Sequence, residues 1–379
     1  MTQNRPQNRP RRRIVFHIGD HKTGSTAIQY AFAAGTVRVD GVPVFYPGQM
    51  GHNHLRGHVE AWCRGNRPRK RAQAEELFSQ IAARIAAAPS GVALISGEAL
   101  EQVPAADLHA VIDRFFAPVA DDIAVVAYVR PHAPRLLSSF AEQIKIGNFS
   151  GGLEPFYDRM ASQGRLRYHA RFAALRAEFG TAFTLRPFLR DQLAGGDVLA
   201  DFAATAFGPG AEIGPGAQAA NESLSLDDLM RLRVIQGAMA RHTPKIRHAL
   251  GWELARQAGG LPGATATRLH LSRALATRVY ADCLDDARAI DRDFLDGAPL
   301  LERDLERARA EAAEAEQDLR PEAWFSASEL RSLTMAGQVM AGLFDAPGVN
   351  WVQALRQARV LAVLGETGDT GGGEDQDAV

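Results

Sequence analysis

The clearest order in the chain is a series of short apolar runs, each followed by a polar turn and then by a stretch with helical spacing. Ile14–Ile18, Val92–Ser96 and Ile123–Val129 are almost continuously apolar, as strands buried on both faces of a sheet are. Phe183–Phe188 is a further strand, and Val42–Tyr46, broken by Pro43, is a weaker one. Between these runs the spacing of apolar positions predicts helices over Thr26–Ala34, Ala72–Ala88, Ala105–Phe116, Pro134–Ile146 and Arg167–Phe179. Strands alternating with helices predict an α/β fold with a central parallel β-sheet flanked by helices. Ligands of such sheets bind beyond the strand carboxyl ends, and each polar motif of this chain comes directly after a strand.

After about Leu224 the strand signals stop. Ser225–Arg241, Ala264–Leu295, Pro299–Asp318 and Ser326–Phe344 read as helices, and Glu302–Glu316 carries acid–base pairs at helical spacing. The resulting layout is an α/β domain over 14–240 and a helical C-terminal region over 241–364 that packs on it. Residues 1–13 hold Arg5, Arg9, Arg11, Arg12 and Arg13 among Gln, Asn and Pro. They read as a solvated, disordered tail, with a basic arm for an anionic partner as the other reading. Residues 365–379 are Gly-rich and acidic and read as disordered too.

Composition narrows the partners. A chain of 379 residues with 46% hydrophobic content builds a sizeable core. A net charge of −1 argues against general nucleic-acid affinity. No apolar run reaches the roughly 20 residues of a membrane span, and the N-terminus lacks the apolar stretch of a secretory signal. The two cysteines, Cys63 and Cys283, read as buried free thiols of a reducing compartment, which makes the expected location cytoplasmic.

The most informative segment is IVFHIGDHKTGSTAIQ, residues 14–29. A strand stops at Gly19, a turn holds His21, Lys22, Thr23, Gly24, Ser25 and Thr26, and a helix comes next. Small residues let backbone N–H groups approach an anion, the helix N-terminus adds partial positive charge, and Lys22 adds a full one. A Walker A loop places its lysine after the second glycine, whereas here Lys22 precedes Gly24. This order resembles the 5′-phosphosulfate loop of the sulfotransferases that use 3′-phosphoadenosine 5′-phosphosulfate (PAPS).

A second polar site lies just past the strongest strand. Arg130 stands at its exit and Ser138 lies on the next helix. A guanidinium there can fork onto phosphate oxygens, and a hydroxyl can add a hydrogen bond. The pair resembles the arginine and serine with which sulfotransferases bind the 3′-phosphate of PAPS. Arg186-Pro187-Phe188, Gly195-Gly196-Asp197-Val198, Asp201-Phe202 and Asn221-Glu222-Ser223-Leu224-Ser225 extend the likeness to carbohydrate-type and bacterial members, over about residues 14–240. The resemblance implies a P-loop-like sulfotransferase fold, a hydroxyl or amino acceptor, carbohydrates among them, and no metal.

Such a transfer is an in-line displacement in which positioning and charge stabilisation dominate. Lys22 neutralises charge on the bridging oxygen, while Thr23, Gly24, Ser25 and Thr26 offer N–H groups and hydroxyls. The acceptor needs a base. His52 and His54, after the second strand, and Glu98, after the third, are the candidates; an imidazole near its ordinary pKa slightly favours the histidines, His54 before His52. His52, His54 and His58 lack the partners that would complete a metal site. His21 either contacts the anion or faces solvent, His17 reads as a core histidine, and Asp20 as structural, paired with a cation or capping the helix. The basic run Arg64–Arg71 reads as a solvated loop, with an anionic glycan as its other use. Two other functions stay open: a P-loop nucleotide kinase or NTPase, and a nucleotide-binding module without catalysis.

Overall fold

The computed structural model describes residues 11–214, 224–263, 265 and 267–364. In chain order the elements are β1 (Arg13–His17), α1 (Ser25–Ala33), β2 (Val37–Val39), β3 (Val42–Pro43), α2 (Leu55–Arg64), α3 (Pro68–Ala87), β4 (Val92–Ser96), α4 (Ala105–Val111), β5 (Asp122–Val129) and α5 (His132–Lys145). Then come α6 (Leu153–Ser162), α7 (His169–Phe179), β6 (Phe183–Pro187), α8 (Val198–Phe207), β7 (Ala211–Ile213), α9 (Leu226–Ala238), α10 (Pro244–Gly260), α11 (Arg273–Phe294), α12 (Leu300–Ala310), α13 (Ala327–Phe344) and α14 (Trp351–Leu364). They form two compact units, 11–130 with 169–214 and 131–168 with 224–364.

The first unit is built on a four-stranded sheet in the order β4-β1-β5-β6, with every pairing parallel. Val15 on β1 lies beside Leu94 and Ala124, so the middle of the central strand is apolar and buried. From β1 the chain goes out to β4, then crosses back to β5 and on to β6. The order therefore reverses beside β1, which places the loops after β1 and β5 on either side of the switch point. On one face Ile28 and Phe32 of α1 and Phe202 of α8 cluster with Val15, Leu94 and Val126. On the other, Phe16 meets Phe116 edge-on at 5.2 Å, and Phe78 of α3 packs on Phe115 at 5.3 Å. Each such side chain, fully buried, contributes roughly 1.5–3 kcal/mol.

Four expectations need correction here. Val42–Tyr46 is not a strand of the parallel sheet: Pro43, which has no N–H to donate, ends a two-residue strand paired antiparallel to β2, whose other neighbour is β7. Phe45 alone reaches the main sheet, bridging to Ala93. Arg12 and Arg13 are not tail residues. Arg13 opens β1 and pairs with Asp122 at 2.6 Å, and the buried Arg12 donates its N–H to Asp121, because the two aspartates at the start of β5 supply acceptors. The Arg64–Arg71 run is not all loop, since Pro68 starts α3 with its preset φ at the first helical position. Cys63 is half-buried, although Cys283 is buried, and both are free thiols. Residues 1–10, Asn221-Glu222-Ser223 and 365–379 lie outside the described residues.

The second unit is helical. His132, Leu136, Phe140 and Ile144 recur every fourth residue on the buried face of α5. Asp286 of α11 accepts the Tyr168 N–H at 2.9 Å and lies 3.3 Å from His132 Nε2, while His132 stacks on Tyr168 at 4.3 Å. Asp291 accepts the N–H groups of Leu301 and Glu302, so α11 caps α12 from outside. The expected helix to Asp318 stops at Ala310, because Ala313 turns to bridge with Ser272. The expected start at Ala264 moves to Arg273, where Ser272 caps α11. No described helix is long and apolar enough to cross a membrane.

Asp201 ties α8 to the sheet. It accepts Tyr128 Oη at 2.7 Å, Arg186 Nη2 at 2.6 Å and the Ala194 N–H at 3.1 Å. Burial pushes its carboxyl upward, but these donors outweigh burial and hold it below the usual carboxylate range. A depressed folded pKa contributes stability above the unfolded value of 3.8 that is lost as pH falls through the folded one. Asp201→Asn is therefore expected to lower stability by about 2 kcal/mol at pH 7. The gap to wild type should shrink below pH 3.8 in thermal melts across pH.

Candidate functional site

The loop after β1 adopts its shape for reasons visible residue by residue. Gly19 has φ +66°, and a β-carbon there would sit 2.8 Å from the Glu98 Cα. Gly24 has φ +77°, and a β-carbon would sit 2.8 Å from Val198 Cγ1, with the Phe188 ring close behind. Lys22, with φ +71°, is a non-glycine residue in the left-handed region. Such strain clusters at ligand-binding loops, and the local turn resembles the concave run of N–H groups that receives anions. Thr23 is buried, and its hydroxyl donates to the Asp20 carbonyl at 2.6 Å. The expectation that this hydroxyl meets a ligand is thereby corrected: it holds the loop together. Ser25 opens α1, and its buried hydroxyl has no partner among the described residues. Gly24 and Thr26 are half-buried beside it.

The electrostatics are denser than the sequence suggests. Asp20 is fully buried and lies 3.3 Å from Arg171 Nη2, so it pairs with a cation and does not cap α1, whose N-cap is Gly24. Arg171 Nη1 also lies 3.5 Å from Glu101. Glu101 accepts the His21 N–H at 2.7 Å, and Glu98 accepts the Lys22 N–H at 3.3 Å. The His21 ring sits between them, with Nδ1 on Glu98 and Nε2 3.3 Å from Glu101. His21 thus faces two carboxylates, with its side chain 29% exposed. The N–H donors of Asp20, His21 and Lys22 are already engaged, and those at the start of α1 follow them in the chain. Glu101 and Arg171 escaped sequence reasoning. The spacing of Glu98 and Glu101, three apart on one 3₁₀ turn, was the only available signal for the first, and nothing marked the second.

Arg130 leaves the end of β5 and donates Nη1 to the Lys22 carbonyl at 2.6 Å, with its guanidinium carbon 5.5 Å from the Phe188 ring centre. Phe188 therefore supports both Arg130 and the approach at Gly24. Residues 108 apart in sequence meet at the switch point. Ser138 stands half-buried on α5, in the second unit.

The three candidate bases differ sharply. His52 is buried, and burial, helped by His54, pushes it down to about 3, so it does not keep the ordinary imidazole pKa expected of it. Its Nδ1 lies 3.2 Å from the Ser96 carbonyl, and its ring packs edge-on to Tyr46 at 4.7 Å. Ser96 also lies 2.8 Å from His17 Nδ1, and burial takes His17 down to about 4. These two imidazoles and Gln29, bonded to the same serine, form a buried polar anchor for the 46–54 segment. His54 is exposed at the start of α2, and its carbonyl faces His58 Nδ1 at 3.1 Å. Glu98 alone touches the loop, and its side chain is 21% exposed.

Compared with known proteins, the chain matches no family model, no curated protein and no solved structure.

Removing one partner of a buried ion pair leaves an uncompensated charge. Arg171→Met is expected to cost about 3 kcal/mol in denaturant unfolding, with Asp20→Asn recovering part of that loss in the double variant. Additive losses would mean that the two side chains do not act as a pair.

Proposed function

We propose that this chain is a PAPS-dependent sulfotransferase, with a P-loop-like fold in its first unit and a hydroxyl or amino group as acceptor. The observation that carries the reading is the Arg130–Lys22 contact at the switch point, where a strained, lysine-bearing turn opens a helix. The orphaned Ser25 hydroxyl fits the same use, since a buried oxygen without a partner is costly unless a ligand satisfies it.

In this reading the acceptor oxygen or nitrogen attacks sulfur, and the bond from sulfur to the bridging oxygen breaks. The electron pair leaves on the 5′-phosphate of 3′,5′-diphosphoadenosine, and the acceptor proton passes to Glu98. Lys22 offsets the charge growing on the bridging oxygen, and the first N–H groups of α1 with Ser25 hold the terminal oxygens. Arg130 takes the 3′-phosphate. Glu98 is preferred to His52 because it touches the loop, whereas an imidazole held near 3 is a poor base and a buried one. Carbohydrate hydroxyls are the first acceptors to assay.

Thermal shift separates this reading from the others. 3′,5′-Diphosphoadenosine is expected to raise the melting temperature without Mg²⁺; stabilisation only by ATP or GTP with Mg²⁺ would favour a kinase or NTPase. Binding without transfer of labelled sulfate to any acceptor pool would favour a non-catalytic module. Lys22→Ala is expected to lower turnover by about a hundredfold or more with an unchanged fold. Arg130→Ala is expected to weaken 3′,5′-diphosphoadenosine about tenfold, and far more than adenosine 5′-phosphosulfate. Near-normal turnover in the first variant, or equal losses in the second, would refute those roles. Glu98→Gln should depress kcat.

A further inference from the structure

A hollow of about 380 Å³ lies in the second unit, between α10 and α14 and beside Asn148. That size falls in the range of about 300–1,000 Å³ typical of small-molecule sites. Val352, Leu355, Arg356 and Arg359 face it from α14 at positions i, i+3, i+4 and i+7, which is one side of a helix. Pro244, Lys245, His248 and Ala249 face it from the first turns of α10. The walls therefore divide into an apolar part and a cationic part.

Cations outnumber acids on these walls. Among the described residues Glu253 is the one acid that lines the hollow, and Arg256 takes both its oxygens, at 2.5 and 3.0 Å. Arg256, with Gln257 and the more distant charge of Arg359, keeps that carboxylate below its usual range. Lys245 and Arg359 form no ion pair with any described residue. The first turn of α10 holds no acid that could answer Lys245. The Arg359 guanidinium carbon lies 5.5 Å from the Trp252 ring centre, and its Nε is buried without an acceptor. A buried guanidinium nitrogen without an acceptor costs free energy, and like charges gathered around one space repel. An anion in the hollow would relieve both.

We propose that this hollow binds a small organic anion with a compact apolar body, whose phosphate, sulfate or carboxylate head is held by Lys245 and Arg359. The body would lie on Val352, Leu355 and Pro244. The site is independent of the loop after β1 and does not rest on the sulfotransferase reading.

The test is isothermal titration of the full chain with 2-naphthalenesulfonate, which carries both features. Inorganic sulfate supplies the head alone and 2-naphthol the body alone. One site is expected, with both controls at least tenfold weaker and affinity falling as salt rises. Arg359→Ala and Lys245→Ala should each weaken the sulfonate about tenfold, the scale for a hydrogen bond lost to a charged group. Lys245 is exposed and bears no packing, so its variant keeps the test valid if Arg359→Ala loosens α14. Lys22→Ala should bind the sulfonate unchanged. The proposal is overturned if wild type gives no saturable heat, if the Lys245→Ala variant binds as wild type does, if inorganic sulfate binds as tightly as the sulfonate, or if Lys22→Ala abolishes binding.

Discussion

The parallel pairing of β1 with β5 is the constraint on which the first unit depends. It aligns His17 with Val126, and the chain continues past both in the same direction. The loops that leave these two strands must then emerge at the same end of the sheet. The Lys22 turn and Arg130 become neighbours for that reason, and the 2.6 Å bond from the guanidinium to the Lys22 carbonyl fixes the distance between them. A guanidinium has several N–H donors, and Arg130 spends one of them on this backbone oxygen. It also fastens a turn whose lysine sits in an unfavourable backbone region.

The turn is held from below by charge. Asp20, Glu98 and Glu101 are set against Arg171, His21 and the N–H groups of residues 21 and 22. A buried carboxylate is tolerated only when donors and cations surround it, so this network is coupled: loosening one member exposes the others. The arrangement also sets the local charge. Acids hold the base of the loop, and Lys22 and Arg130 are cations beside them.

The second unit uses carboxylates differently. Asp286 and Asp291 bind backbone N–H groups of separate segments, the first 118 residues away in sequence and the second 10. Hydrogen bonds to charged acceptors are stronger than neutral ones, which lets a few aspartates of α11 organise several helices. In the hollow between α10 and α14, Glu253 is the one lining acid among the described residues, and Arg256 takes it.

Local pattern was enough for part of this protein. The apolar runs that became β1, β4, β5 and β6, the turn that opens α1, and the special residues Gly19, Gly24 and Lys22 were legible because strand burial and left-handed turns demand particular side chains at fixed offsets. Helices α2, α6, α8, α10 and α14 were not legible, since their apolar faces are short or mixed with charge and draw their stability from packing. The pairing of Asp20 with Arg171, the hold of Glu101 on the loop and the burial that silences His52 joined residues from distant parts of the chain. A carboxylate or an imidazole looks the same in sequence whether it faces water or a guanidinium. Only the fold decides its surroundings, and the surroundings decide its charge.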